Sequence, residues 1–342
     1  MGIINTTRQK LHNFLTVRLN HAINPLVQKL EAVQGEQHIS HIQTMQLLKA
    51  IANRLDPHLL DEFEGTGIGT ALATGDVVIS PNYAKRLHPD DVFLVSYPRS
   101  GNTWMRTIVA YLLYPADILK TLKDLEVYVP DLHHNLPHHH QYSQPRVLKT
   151  HEPYFNRQGL EVDSLYGKFI YVVRHPYKTL NSYYDLESFS PPTFMPIGEF
   201  VNRVLSNAYT YGGWSEHVQS WRYASKHAQA LFLRYEDLQK SPIIHIQQIA
   251  QFLGKPVNEE QAEQVRWLSS QENMRELENR DPHLPGYENI RQGEERKTKQ
   301  TLDSTLKAQI YEACQKQMDA FGYLADGGIA QEYPLKGQHR IP

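Results

Sequence analysis

Four short β-rich runs recur after residue 90: Val92–Ser96, Val147–Lys149, Phe169–Val173 and Ala230–Leu233. Helical patterns such as Thr103–Leu113 and Tyr177–Leu186 lie between them. Strands alternating with helices join into βαβ units, whose strands run parallel and whose sheet is covered by helices on both faces. This alternation predicts an α/β fold: a three-layer, doubly wound, mainly parallel sheet.

The remaining chain arranges itself around that unit. Residues 1–85 read as a helical N-terminal extension. Leu11, Phe14, Leu15, Leu19, Ala22, Ile23, Val27 and Leu30 recur at three- and four-residue steps, which marks one apolar helix face. Asn24-Pro25 is expected to kink that helix. A second run, Leu48, Ile51, Ala52 and Leu55, precedes the Gly-rich stretch Gly65–Gly69, a loop. The α/β domain takes 86–325. Its last helix is expected to start at an Asp303 cap, to carry Leu306, Ile310, Cys314, Met318 and Phe321 on one face, and to close before Gly322. Residues 326–342 show no period and are expected to form a poorly ordered tail.

Composition excludes several classes of function. The 342 residues hold 35 Lys+Arg against 37 Asp+Glu, a formal net charge of −2. No global basic field favours nucleic acid, so any anion must be held locally. Cys314 is the single cysteine, which rules out a disulfide framework and a multi-cysteine zinc site and suits a reducing compartment. No apolar run approaches the roughly 18 residues that span a bilayer. The expected location is cytoplasmic. Arg8, Lys10, Arg18 and Lys29 stand in the first 30 residues without any Asp or Glu, so a basic amphipathic helix within 1–33 can also lie on an anionic membrane, or pack on the domain or a partner.

The chemistry concentrates after the first strand. Tyr97-Pro98-Arg99-Ser100-Gly101-Asn102-Thr103-Trp104 forms a turn from which a helix departs. Backbone N–H groups at such a helix start lack partners, and the helix dipole favours negative charge. Ser100, Asn102 and Thr103 add side-chain donors, and Arg99 adds a fixed charge. The Gly-x-x-x-x-Gly-Lys-Ser/Thr pattern of nucleotide kinases does not occur here. An ordinary strand-to-helix turn has the same outline, so the other motifs decide.

That octapeptide resembles the 5′-phosphosulfate loop of sulfotransferases that use 3′-phosphoadenylyl sulfate (PAPS), with Arg99 where the family usually has Lys. Three further segments follow in the family's order. Lys149-Thr150-His151-Glu152-Pro153 resembles its Lys-Thr-His-x-Pro segment, which implies His151 as general base and Lys149 as a cation beside the sulfuryl group. Arg174 ends a strand and Ser182 follows eight residues later, which resembles the 3′-phosphate site. Arg234-Tyr235-Glu236-Asp237 resembles the turn that brings a tyrosine, here Tyr235, to the adenine. Arg291-Gln292-Gly293 resembles a last phosphate contact, Arg-Lys-Gly in the family. Trp104 keeps the expected adenine stack, whereas Gln271 stands where a second aromatic is expected.

The resemblance implies transfer of SO₃ from PAPS to a hydroxyl, or an amine, leaving PAP and requiring no metal. The implied catalytic residues are His151, Lys149 and Arg99. The implied nucleotide contacts are Arg99, Ser100, Gly101, Asn102, Thr103, Trp104, Arg174, Ser182, Tyr235, Arg291, Gln292 and Gly293. The acceptor is a small molecule, lipid or carbohydrate that the sequence does not name. The alternatives are a nucleotide-binding phosphotransferase and a catalytically silent PAPS/PAP-binding module. The histidines of the biased segment Asp131–His140 are expected to sit in solvent, and as a functional reading acceptor contact comes before metal binding.

Overall fold

All five residues of strand β1 (Val92–Ser96) are buried. Alternate side chains of a strand point to opposite faces, so β1 needs cover on both sides. The computed structural model, which describes residues 87–132, 145–154, 167–187, 195–209, 211–280 and 301–334, supplies it. The other strands are β2 (Val147–Thr150), β3 (Lys168–Val173) and β4 (Gln229–Arg234). They form one sheet in the order β2-β1-β3-β4, with every neighbouring pair parallel.

One face of the sheet carries Phe93, Val95, Leu148, Phe169, Tyr171 and Phe232. Helices α3 (Pro176–Glu187), α4 (Ile197–Leu205) and α5 (Trp214–Ala224) pack here through Leu180, Phe200, Val204, Trp214 and Trp221, joined by α10 (Ser304–Ala320) through Ile310, Cys314 and Met318. The opposite face carries Val92, Leu94, Val147, Ile170, Val172 and Leu231. It is covered by α1 (Asn102–Leu113) through Met105, Ile108 and Val109, and by α7 (Pro242–Phe252) and α8 (Glu259–Leu268) through Ile246, Ile249, Ala262 and Val265. The apolar side chains of α1 sit three and four residues apart, the spacing of one helix face. Three layers result, as the strand-helix alternation requires. The short helices α2 (Leu125–Tyr128) and α6 (Tyr235–Lys240), the helix α9 (Gln271–Asn279) and a 3-10 turn at Leu122–Asp124 complete the described elements. No helix among the described residues is long and apolar enough to cross a membrane.

At the N-terminal ends of β1 and β2, Arg146 donates from Nε to Asp91 Oδ1 at 2.8 Å and from Nη2 to Asp91 Oδ2 at 2.6 Å. Both side chains are buried. A buried ion pair is tolerated when the planar guanidinium meets the carboxylate in this forked way. It pins the first rung of the sheet.

The C-terminal helix starts where the cap predicts: Asp303 accepts from Leu306 N at 2.8 Å. It ends at Gly322, whose φ of 64° suits glycine. One expectation needs correction. Residues 326–334 are not a loose tail. Tyr323 and Ile329 form an antiparallel bridge, and Arg234 Nη1 donates to Phe321 O at 3.1 Å and Ala330 O at 2.9 Å. Tyr333 lies against the Arg234 guanidinium at 4.0 Å and donates to Asp237 Oδ2 at 3.2 Å. The segment has no period because it is ordered by separate polar contacts to one buried arginine, and such contacts leave no repeat in the sequence. The N-terminal extension, His133–His140, Arg291–Gly293 and residues 335–342 lie outside the described residues.

Candidate active site

The loop after β1 feeds α1 on one face of the sheet, and the loop after β3 feeds α3 on the other. β1 and β3 are neighbours. The two loops therefore diverge and leave a crevice at the carboxyl ends of these strands, the place where open α/β sheets bind ligands. Residues 97–104 and 174–182, far apart in sequence, meet there. Arg174 Nη1 donates to Arg99 O at 3.0 Å, and Arg99 Nε donates to Ser182 Oγ at 3.1 Å.

Two residues of the loop have left-handed backbone. Arg99 has φ 65° and Gly101 φ 96°. Left-handed residues interspersed in such a turn make a concave nest of N–H groups. α1 has no side-chain cap and no acidic residue in its first turn, so its N-terminus keeps its positive field. Ser100 Oγ and Arg174 Nε are buried donors without a hydrogen-bond partner among the described residues. Buried donors are normally satisfied, and an anion of the phosphate or sulfate type would satisfy these. Asn102 Nδ2 donates to Ser96 Oγ at 3.1 Å and braces the loop on β1.

Aromatic rings stand beside the loop. Tyr235, at the start of α6, meets Trp104 edge-on with ring centroids 5.6 Å apart, and the Arg174 guanidinium lies 4.6 Å from the Tyr235 ring centre. The ring presses on Gly101, where a Cβ would stand 2.6 Å from Tyr235 Cε2. Only glycine fits both this approach and the positive φ. Gln271 is exposed at the start of α9.

Lys149 and His151 stand one strand over, at the end of β2. His151 Nδ1 lies 2.7 Å from Ser96 O. A carbonyl only accepts, so the proton is on Nδ1 and the Nε2 lone pair is left open. Burial, then the Lys149 ammonium, hold the imidazole well below the usual histidine range, against the opposing hydrogen bond to Ser96 and the Asp131 carboxylate. His151 is thus neutral near pH 7. The segment after β2 is tied to α5: His217 Nε2 donates to His151 O at 2.9 Å, Trp221 Nε1 to Glu152 O at 2.9 Å, and Tyr154 N to Ser220 Oγ at 2.9 Å. His217 is held neutral by burial, its pKa lowered to about 4, and its Nδ1 lies 2.8 Å from the Tyr171 hydroxyl.

Two groups here were not singled out from sequence. His217 lies between Glu216 and Val218, and nothing in these neighbours signals its contact with residue 151. Asp131, which forms an ion pair with Lys149, opens the biased segment Asp131–His140, but its pairing depends on strand register.

A model of the sulfotransferase domain matches residues 89–322. Sulfotransferase 1B1 of Canis lupus familiaris is 33% identical over 202 residues, covering 55% of this chain and 67% of its own. Sulfotransferase 1C2 of Oryctolagus cuniculus is 29% identical over 233 residues, covering 64% and 75%. Among solved structures, the chain is similar to a mouse sulfotransferase, SULT7A1, complexed with PAP, at 27% identity and a TM-score of 0.44, covering 55% of this chain and 67% of that one. With most of its length matched by the domain model, from the strand that feeds the anion loop to the glycine that ends α10, this chain belongs to the sulfotransferase family.

Proposed function

We propose that the protein transfers the sulfuryl group of PAPS to a hydroxyl acceptor, with His151 as general base. The observation that supports this most is that the two candidate anion segments contact each other and the candidate base is held beside them. The 97–104 loop and the Arg174–Ser182 pair contact each other, and Ser96, the last residue before the loop, holds His151 by its carbonyl.

The donor supplies an activated S–O bond whose leaving group is a phosphate. The nest at residues 99–104 and the N-terminus of α1 would hold that phosphate, and Arg174 and Ser182 the 3′-phosphate, with Trp104 and Tyr235 beside the adenine. Arg291, Gln292 and Gly293 remain part of this assignment from the family resemblance. The acceptor oxygen forms the new bond to sulfur, and the bridging S–O bond breaks with its electron pair left on the phosphate oxygen. His151 Nε2 takes the acceptor's proton. Lys149 and Arg99 place positive charge near the group in transit. Fixed cations and oriented amides stabilise the developing charge without reorganising, which makes them effective in a site shielded from water. A base contributes roughly 10²- to 10⁴-fold in rate.

The test is turnover of PAPS with a panel of hydroxyl acceptors read by mass spectrometry, beside calorimetry with PAP. His151→Ala is expected to lose turnover by about 10²- to 10⁴-fold and to keep its PAP affinity. Loss of both together would make His151 a structural residue. No heat with PAP in the wild type would overturn the functional reading.

A further inference from the structure

The lysine proposed to meet the sulfuryl group already has a partner. Lys149 Nζ is paired with Asp131 Oδ2, and both side chains are only 13% exposed. The pairing is built into the backbone. Asp131 and Lys149 form a parallel bridge at the edge of β2. Leu132 N donates to Lys149 O at 2.8 Å, and Lys149 N donates to Pro130 O at 2.8 Å. Residues opposed in such a bridge send their side chains to the same face, so the rung sets the carboxylate beside the ammonium. The Pro130–Leu132 strip is itself braced, since Asp131 N approaches Glu126 Oε2 at 3.4 Å and Arg106 holds Glu126 at 2.8 Å.

At this degree of burial the pair is little screened, and neither charge is stable alone. Lys149 is therefore held in place by Asp131. Its ammonium has three donors, so it can turn part of its hydrogen bonding towards an incoming anion, but only by weakening its hold on the carboxylate. The same carboxylate repels any anion placed beside Lys149.

We propose that Asp131 is a positioning residue that holds Lys149 against the sulfuryl group: it restrains ground-state capture of the sulfuryl by Lys149 and leaves the lysine's charge to be used as the group moves. This inference rests on the functional reading above. An interaction spent fully on bound donor would lower the energy of substrate and transition state alike and add nothing to the rate of the chemical step. Asp131 limits that loss. It belongs to the segment that precedes His151, and its action runs through Lys149.

The test compares PAPS with PAP, because the two differ by the sulfuryl group. Dissociation constants of both are measured by calorimetry for the full chain, Asp131→Asn, Lys149→Ala and the double variant, without acceptor. In Asp131→Asn the ratio Kd(PAP)/Kd(PAPS) is expected to rise about tenfold, equivalent to about 1.4 kcal/mol. In the Lys149→Ala background, removing Asp131 is expected to leave the ratio unchanged, since the cycle isolates what passes through the lysine. An unchanged ratio in Asp131→Asn, or a rise that persists without Lys149, overturns the proposal. Equal loss of PAP and PAPS affinity marks Asp131 as structural and also overturns it. If Asp131→Asn does not fold, Asp131→Ser is measured in its place, and failure of both to fold assigns the residue to stability instead. A wild type that binds neither nucleotide brings down the functional reading itself, a result distinct from an unchanged ratio.

Discussion

Replacing Gly101 with alanine probes the anion loop at its tightest point. The residue has φ 96°, and a non-glycine residue in left-handed backbone costs about 1–2 kcal/mol. The added methyl would sit 2.6 Å from Tyr235 Cε2 and closer still to Cδ2. Carbon atoms in good contact lie about 3.5–4.0 Å apart, so the ring must retreat by about 1 Å. Its retreat is hindered by Trp104 at 5.6 Å between ring centroids, by the Arg174 guanidinium at 4.6 Å, and by Gln239, which donates to the Tyr235 hydroxyl at 3.2 Å. Overpacking of this kind costs about 1–3 kcal/mol. Gly101→Ala is thus expected to lose about 2–5 kcal/mol of stability, measured by urea unfolding, and to weaken PAP binding as Arg174 is displaced. Tyr235→Ala separates the two costs. In that background the same substitution should cost only the backbone part, about 1–2 kcal/mol. Equal losses in both backgrounds would refute the steric part, and a Gly101→Ala variant within about 0.5 kcal/mol of wild type would refute the whole.

Asp91→Ala leaves the Arg146 guanidinium buried without its forked partner and should destabilise by about 3–5 kcal/mol in thermal unfolding, whereas changing both residues to apolar ones of similar volume should recover most of that loss. Stability should also fall with acid. His217 has a folded pKa of about 4 against about 6.5 unfolded, so the unfolded chain binds the extra proton. His217's contribution is complete above pH 6.5 and shrinks as pH drops towards 4, by about 3 kcal/mol in all, and His217→Gln should flatten the pH dependence of unfolding in that window. Deleting residues 329–342 removes the Ala330 acceptor and the Tyr333 ring from Arg234, and should cost about 1–3 kcal/mol. An unaltered melting temperature would mean the segment does not hold the arginine.

The strand-helix alternation was enough to read the layers, because burial on both faces leaves a local signature in residue type. Val92–Ser96 matches its predicted span, and the other strands differ from theirs by a residue at one or both ends. The candidate anion loop was picked out for a similar reason: a glycine at a helix start, with polar neighbours, is a local feature of the chain. Arg174 and Ser182 were legible as a spaced motif. Their contact with Arg99 was not, since it follows from β1 and β3 being neighbours while their helices leave on opposite faces.

Register and long-range polar contacts stayed hidden. Asp131 and Lys149 are eighteen residues apart, and nothing local says that the segment before the histidine-rich stretch adds a rung to β2. His217 meets the backbone of His151 across 66 residues, and residues 326–334 find order on an arginine about ninety positions earlier. A pattern of apolar residues records which side of an element is buried, because burial acts on each residue separately. It does not record which charge meets which, because a pair depends on how strands are ordered and where they start. The chain thus carries its layers, its candidate anion loop and its candidate base in local chemistry, while the Asp131–Lys149 pair exists only once residues 130–132 lie along β2.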